Sequence, residues 1–295
     1  MRRFDMYVPE DLEDLLQYLD EHQTGFQLIA NGSDLINRIQ RKQINPKTLV
    51  DISGLSEFNY VRKEGSTIKI GALTTISDLL SSPVIDSRHE VFREVAARFG
   101  GPSIINVATV GGNVCAASSS EDLLPVFLVL EAKVKLRSKH GERTVTLEEF
   151  LKGKRLTDLR PNEILTEVMF EELDDNSACA FEKVGMRNSL IIAFVNSAVR
   201  LTLGKGSKRV MDIRIAFNRV NGKIPQRVRK VEEKLRGAAP TEENFAAAFA
   251  LLNGELRLSS DYRASGEYRT HVAGVLFKRA LNRCAANLIG ETIFV

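Results

Sequence analysis

Two adjacent glycines in Thr109-Val110-Gly111-Gly112-Asn113, followed nine residues after Asn113 by Asp122, constrain this 295-residue chain more than any other segment. Paired glycines leave backbone N–H groups uncovered by any Cβ, so a diphosphate can approach the main chain closely. Threonine and asparagine flank them with short hydrogen-bonding side chains. The carboxylate of Asp122 is placed to hold a ribose or ribitol hydroxyl. The plainer reading of Gly-Gly-Asn is a tight turn between two strands.

A second small-residue loop lies upstream. Residues 26–30 form a short apolar run that reads as a buried strand, and Asn31-Gly32-Ser33-Asp34 follow it. Leu35, Ile36 and Ile39 then fall at helical spacing, with Ser33 as the predicted N-cap. Strand, turn and helix in this order make a ready anion site, because first-turn amides lack partners and the helix dipole favours negative charge. A simple capped helix explains the same pattern. Neither loop matches G-x-G-x-x-G after a strand or G-x-x-x-x-G-K-[ST], so the Rossmann and P-loop signatures are missing.

The remaining sequence narrows the class. Hydrophobic residues make up 43% of the chain and charged residues 27%, as in a globular protein long enough for more than one core. No run of about 18 apolar residues predicts a membrane span, and the N-terminal residues carry no secretory pattern. Cys115, Cys179 and Cys284 are odd in number and widely spaced. That spacing fits neither a disulfide framework nor a metal pair and agrees with a cytoplasmic location. The four histidines are scattered, so no metal site is expected. From residue 182 onward the chain carries +10, against −7 for the rest. No stacking aromatics accompany the basic half, which argues for a solvated face or a subunit interface and against nucleic acid.

Residues 1–55 read as a small βαβ-like unit, with a helix bearing Leu12, Leu15, Leu16 and Leu19. Further helices are predicted around 76–80, 89–99 and 123–130, and strands at 68–70, 134–136, 144–146 and 164–170. The polar stretch 174–177 is the predicted boundary between a domain over 1–175 (subdomains about 1–55 and 56–175) and one over 178–295. Strands are expected at 180–184, 191–203 and 213–217, then helices at 228–235, 241–253 and 265–288. Val272, Val275, Leu276 and Leu281 form the apolar side of the last helix. Strands grouped ahead of helices predict an α+β fold.

Taken together, the two loops resemble those of the FAD-binding (medium) subunit of the molybdenum hydroxylases, the family of xanthine, carbon monoxide and nicotinate dehydrogenases. Ile29-Ala30-Asn31-Gly32-Ser33-Asp34-Leu35 is similar to the family's first pyrophosphate loop, and Thr109-Val110-Gly111-Gly112-Asn113 to its second. The similarity continues through Asn113-Val114-Cys115-Ala116-Ala117-Ser118 to Asp122-Leu123-Leu124-Pro125. Val50-Asp51-Ile52 and Ile68-Lys69-Ile70-Gly71-Ala72 also have family equivalents. Asn31 and Ile105 depart from it, standing where members often carry glycine and arginine.

The resemblance implies a two-part FAD-binding domain of the vanillyl-alcohol-oxidase-like type, then a smaller α+β domain with an antiparallel sheet and helices. It implies FAD contacts from Leu28, Ile29, Ala30, Asn31, Gly32, Ser33, Asp34, Phe99, Thr109, Val110, Gly111, Gly112, Asn113, Ser118, Asp122, Leu165 and Lys183. Phe99 and Leu165 would pack beside the flavin ring and Lys183 would place a cation near it. No catalytic side chain is required of the protein. Electrons would come from a [2Fe-2S] subunit after hydroxylation on a subunit carrying the molybdenum cofactor, and pass to an acceptor such as NAD. A purine such as xanthine is the implied substrate, through Phe99 and residues 118–122. Two other readings are a single-chain FAD oxidoreductase of the same fold and a non-catalytic nucleotide-binding or assembly protein.

Overall fold

The computed structural model describes residues 3–186, 192–206, 209–218, 225–256, 258 and 260–294. The N-terminal lobe holds β1 (Asp5–Tyr7), α1 (Leu12–Glu21), β2 (Phe26–Ile29), α2 (Leu35–Gln40) and β3 (Thr48–Asp51). Its strands pair in parallel in the order β1-β3-β2, so each helix is a crossover. Leu15, Leu16 and Leu19 recur at helical spacing on α1 and bury against Val50, Ile52 and Phe58. Asp11 caps that helix by accepting from the Asp14 amide at 2.9 Å.

The second lobe begins with β4 (Val61–Glu64) and β5 (Thr67–Gly71) and continues through five helices: α3 (Ile76–Ser81), α4 (Glu90–Phe99), α5 (Pro102–Ile105), α6 (Val110–Ala116) and α7 (Leu123–Val129). β6 (Lys133–Ser138), β7 (Gly141–Thr146), α8 (Leu147–Phe150), β8 (Leu151–Gly153), β9 (Leu156–Thr157) and β10 (Ile164–Glu171) complete it. The main sheet is antiparallel, in the order β4-β5-β10-β6-β7. Phe92, Phe127 and Phe170, the last on β10, pack together at tilted angles with ring centroids 5.7–6.3 Å apart.

The C-terminal part is a second antiparallel sheet, β11 (Ser177–Val184), β12 (Val195–Leu203), β13 (Val210–Phe217) and β14 (Gln226–Arg227). Three helices follow, α9 (Arg229–Leu235), α10 (Glu242–Glu255) and α11 (Gly266–Ile289). α11 covers one face of this sheet, while α4 and α7 cover the other. α7 is therefore enclosed, and every residue from Leu123 to Leu130 is buried, which is why that run is apolar around its full circumference.

The fold is α+β as expected, with four adjustments. Ser33 does not cap α2; Asp34 occupies the cap position and its side chain caps nothing, because an arginine has taken the carboxylate. The Gly-Gly-Asn segment is no turn between strands but the first turn of α6. Val275 lies on the exposed side of α11, where Ala273, Phe277 and Ala280 fill the core face instead. β12 starts at Val195, and the predicted start of that strand at Ile191 lies outside the described residues. Replacing Phe92 by alanine should lower the unfolding free energy by about 3–5 kcal/mol. Denaturant titration checks this, and a loss below about 1 kcal/mol would show that the aromatic trio is not part of the core.

Candidate functional site

A cleft runs between the two N-terminal lobes, and α6 forms its spine. Three connected chambers of about 480, 160 and 530 Å³ open along it. Thr109 and Gly112 line all three. One end chamber is largely apolar, walled by Leu28, Ile52, Leu73, Ile164 and Leu165. The other has Phe99 and Ile104 on one wall, with Ser118, Glu121, Asp122, Arg38 and Arg155 opposite. The small middle chamber lies against residues 29–35.

The first loop supplies the unsatisfied backbone. Among the described residues the amides of Gly32, Ser33 and Asp34 find no hydrogen-bond acceptor. Gly32 adopts φ +74°, and a Cβ there would meet Ile36 Cγ1 at 2.8 Å, so the position requires glycine. Asn31 does not share that requirement. Its side-chain amide donates to the Val107 carbonyl at 2.9 Å and ties the first loop to the approach of the second. The replacement of glycine by asparagine thus adds a tether and strains nothing.

The second loop works differently from expectation. Val110 donates its N–H to Thr74 O at 2.9 Å, Gly111 to Ala72 O at 2.8 Å and Asn113 to Thr109 O at 3.0 Å. Gly112 donates to Thr109 Oγ1 at 3.0 Å. All four amides are spent inside the protein. A Cβ on Gly111 would sit 2.7 Å from both the Ala72 oxygen and its Cβ, so this glycine lets α6 lie directly on the end of β5. Gly112 and Thr109 face the cleft, while Val110 is core.

Arg155, in the left-handed region at φ 60°, forks onto Asp34 at 2.6 and 2.9 Å and donates its backbone N–H to Ala117 O. Arg38 also approaches Asp34 Oδ2, at 4.0 Å. These two guanidinium groups bring cations to the cleft, where Ile105 supplies only apolar packing.

Behind the Phe99 chamber sits a buried ionic knot. Lys183 Nζ donates to Asp122 Oδ2 at 2.5 Å and to the Arg98 carbonyl at 2.8 Å. Asn196 donates to Asp122 Oδ1 at 2.7 Å. Asp122 faces the chamber and Lys183 stands behind it, so the ammonium acts on the chamber through the carboxylate. Burial pushes the Asp122 carboxyl up to about 6, against the opposing pull of Lys183. Glu121 is pushed to about 8, mainly by burial and then by the charge of Asp34. Asn113 Nδ2 donates to its carboxylate at 2.5 Å, and Asn218 Nδ2 donates to its backbone oxygen at 2.8 Å. Ser118 Oγ lies 3.0 Å from Ser120 Oγ at the same rim.

Phe99, Ser118 and Asp122 therefore share one chamber, whereas Leu165 and Leu28 share the chamber at the opposite end. Leu165 and Phe99 thus line different chambers of the cleft. Sequence reasoning missed Arg38, Arg155, Glu121, Asn196 and Asn218. The asparagines had a signal, each being a lone amide beside or inside an apolar strand. Arg155 had none, since a hairpin of two short strands carries it.

These features fit a dinucleotide such as FAD. Free amides lie midway, suited to a diphosphate, with Arg38 shared between the middle and Phe99 chambers and Arg155 lining the latter. Carboxylate and hydroxyl groups stand ready for sugar or ribitol hydroxyls, and the two ends present apolar walls to flat rings. Among the described residues no cluster of His, Cys, Asp or Glu is placed to hold a metal ion, and no helix is long and apolar enough to cross a membrane.

Comparison with known proteins gives the same picture. A family profile described as "FAD binding domain in molybdopterin dehydrogenase" matches residues 2–170, and one described as "CO dehydrogenase flavoprotein C-terminal domain" matches 180–284. The chain is 31% identical to the nicotinate dehydrogenase FAD-subunit of Eubacterium barkeri, with 95% of each chain covered. It is 29% identical to the carbon monoxide dehydrogenase medium chain of Hydrogenophaga pseudoflava, covering 96% of this chain and 99% of that one. A solved structure of carbon monoxide dehydrogenase from that organism superposes with a TM-score of 0.91, covering 97% and 98% of the two chains.

Two outcomes follow from the ionic knot. Lys183→Met should destabilise the protein by about 3–5 kcal/mol, because Asp122 is then buried without its partner, and Asp122→Asn in the same chain should recover much of the loss. Equal instability of single and double variants in denaturant titration would refute the pairing. For Glu121 the folded value of about 8 lies above the unfolded carboxyl's usual value. The unfolded chain thus releases the proton first, and this group's contribution falls as pH rises from about 4.5 toward 8. Glu121→Gln should therefore raise the melting temperature more at pH 8 than at pH 5; an equal effect at both would exclude the titration.

Proposed function

Since the chain belongs to the family of FAD-binding subunits of the molybdenum hydroxylases, we propose that it carries electrons between a partner iron–sulfur subunit and an external acceptor such as NAD. The observation that supports this most is the set of free Gly32–Asp34 amides, at the middle of a cleft with a largely apolar chamber at one end and a mixed chamber walled by Phe99 and charged groups at the other. Bound FAD supplies a two-electron store that can be filled and emptied one electron at a time.

The chain's own residues bind and orient. Gly32, Ser33 and Asp34 offer N–H groups to the diphosphate, with Arg38 and Arg155 beside them. Phe99 offers a flat apolar face at one end, and Leu28 and Leu165 close the other. Asp122, with one oxygen held by Lys183 and one by Asn196, keeps further lone pairs for a ligand hydroxyl or N–H. The Lys183 ammonium fixes that carboxylate in its ionised, oriented form and keeps a positive charge one residue behind the chamber wall. No protein nucleophile or acid–base pair is needed.

The partners we place around it are an iron–sulfur subunit and a large molybdenum-binding subunit, in the reducing cytoplasm. The substrate is chosen on the large subunit. A purine such as xanthine is the class we favour, supported by the likeness of Phe99 and residues 118–122 to xanthine-oxidising members of the family.

The test starts with the purified chain and its visible spectrum. Flavin bands and about one released FAD per chain are expected; a colourless protein that takes up no added FAD would overturn the reading. Gly32→Ala should weaken FAD retention by about 1–2 kcal/mol, since alanine resists φ +74°. Unchanged affinity would remove the first-loop amides from the site.

A further inference from the structure

On the far side of α7 from the cleft, a cavity of about 700 Å³ opens between the five-stranded sheet and strands β12–β14. Six basic side chains line it against three carboxylates. The sheet register sets Arg200 of β12 directly opposite Arg214 of β13. Like charges opposed across antiparallel strands repel one another.

Three of the arginines are compensated. Arg214 meets Asp212 at 2.8 Å and also Glu131. Arg227 meets Glu232 at 2.7 Å and Glu131 at 3.1 Å. Arg229 meets Glu148 at 2.5 Å. Arg200 differs in lacking any ion pair: it makes no hydrogen bond or ion pair with any described residue, and its Nε, like Nε and Nη1 of Arg214, is sealed from water without a hydrogen-bond acceptor. A buried guanidinium N–H left unmade is costly. Burial and the neighbouring Arg214 charge both hold the Arg200 guanidinium below its ordinary pKa.

Glu131 shows what these groups accept. It sits in the left-handed region at φ 52°, an uncommon conformation for glutamate, in the turn between α7 and β6. From there its half-exposed carboxylate reaches both Arg214 and Arg227. An oxyanion already occupies one side of the arginine group, and the Arg200 side has none. Guanidinium forks match phosphate oxygens two at a time, and the volume is that of a small-molecule site.

We propose that this cavity is a second ligand site, separate from the cleft, which binds the phosphate group of a small molecule through Arg200 and Arg214. Glu131 is the competing internal anion.

The test is titration calorimetry of inorganic phosphate into the flavin-loaded full chain, with chloride at matched ionic strength as the control. Saturable binding of one phosphate per chain is expected, with unchanged flavin absorbance. Arg200→Gln should weaken it by about tenfold or more, and Glu131→Gln should tighten it. If Arg200→Gln does not fold, Arg200→Lys decides, since it keeps the charge and loses the fork; it should bind more weakly than wild type. No saturable heat, unchanged affinity in the Arg200 variants, or a flavin shift tracking phosphate would each overturn the proposal. So would an Arg200→Gln chain that binds phosphate normally but no longer joins its partner subunits, which would make this face a protein contact.

Discussion

The buried pair of Lys183 and Asp122 is the contact on which the architecture turns. Asp122 lies at the N-terminal end of α7 and forms part of the cleft wall; Lys183 belongs to the first strand of the C-terminal sheet. Both side chains are almost fully removed from water. An ion pair in such a place gains little net stability unless its remaining hydrogen-bonding capacity is filled. Here Asn196 and the Arg98 carbonyl take up part of it. The pair thus joins the C-terminal sheet to α7 and holds Asp122 against the Phe99 chamber.

The glycine pair shows how one motif serves two demands. Its sequence suggests an open cradle, yet its amides are all used within the fold and Gly111 exists so that α6 can touch Ala72. The free amides belong to the other loop, where the left-handed Gly32 turns them outward. The two loops are complementary. One supplies donors, and the other brings a helix close enough to form the opposite wall.

Much of this was legible from the sequence because it rests on local physics. The stripe of Leu15, Leu16 and Leu19, the apolar run of α7 and the alternation of β6 follow from period alone. The family resemblance named the cleft residues but not the chamber each one enters, and the structure sets Leu165 and Phe99 in different chambers. What stayed hidden depends on contacts distant along the chain. Arg155 reaches Asp34 across 121 positions, and Asn218 reaches Glu121 across 97. No periodicity in either segment foreshadows such a pairing.

The face that β11, β12 and β13 turn toward α4 and α7 explains why the fold can carry two polar sites without losing its core. Alternation puts Asn196, Ala198 and Arg200 on that face, and the register sets them opposite Lys183, Phe181 and Cys179. On the other side Ala198 and Arg200 meet Ala216 and Arg214. The middle row, Phe181, Ala198 and Ala216, is apolar and joins the main core. One flanking row holds the ionic knot of the cleft, and the other holds the arginines of the second cavity. Four residues of strand separate the two rows, about 13 Å. A well-packed sheet of this kind offers no alternative arrangement that could relay movement between them. Charge in the arginine cavity thus acts on the cleft through its field, about 1 kcal/mol for a unit charge at that distance and an effective dielectric near 20. Such a field is too weak to reshape the cleft, so the two polar sites share one sheet and stay separate.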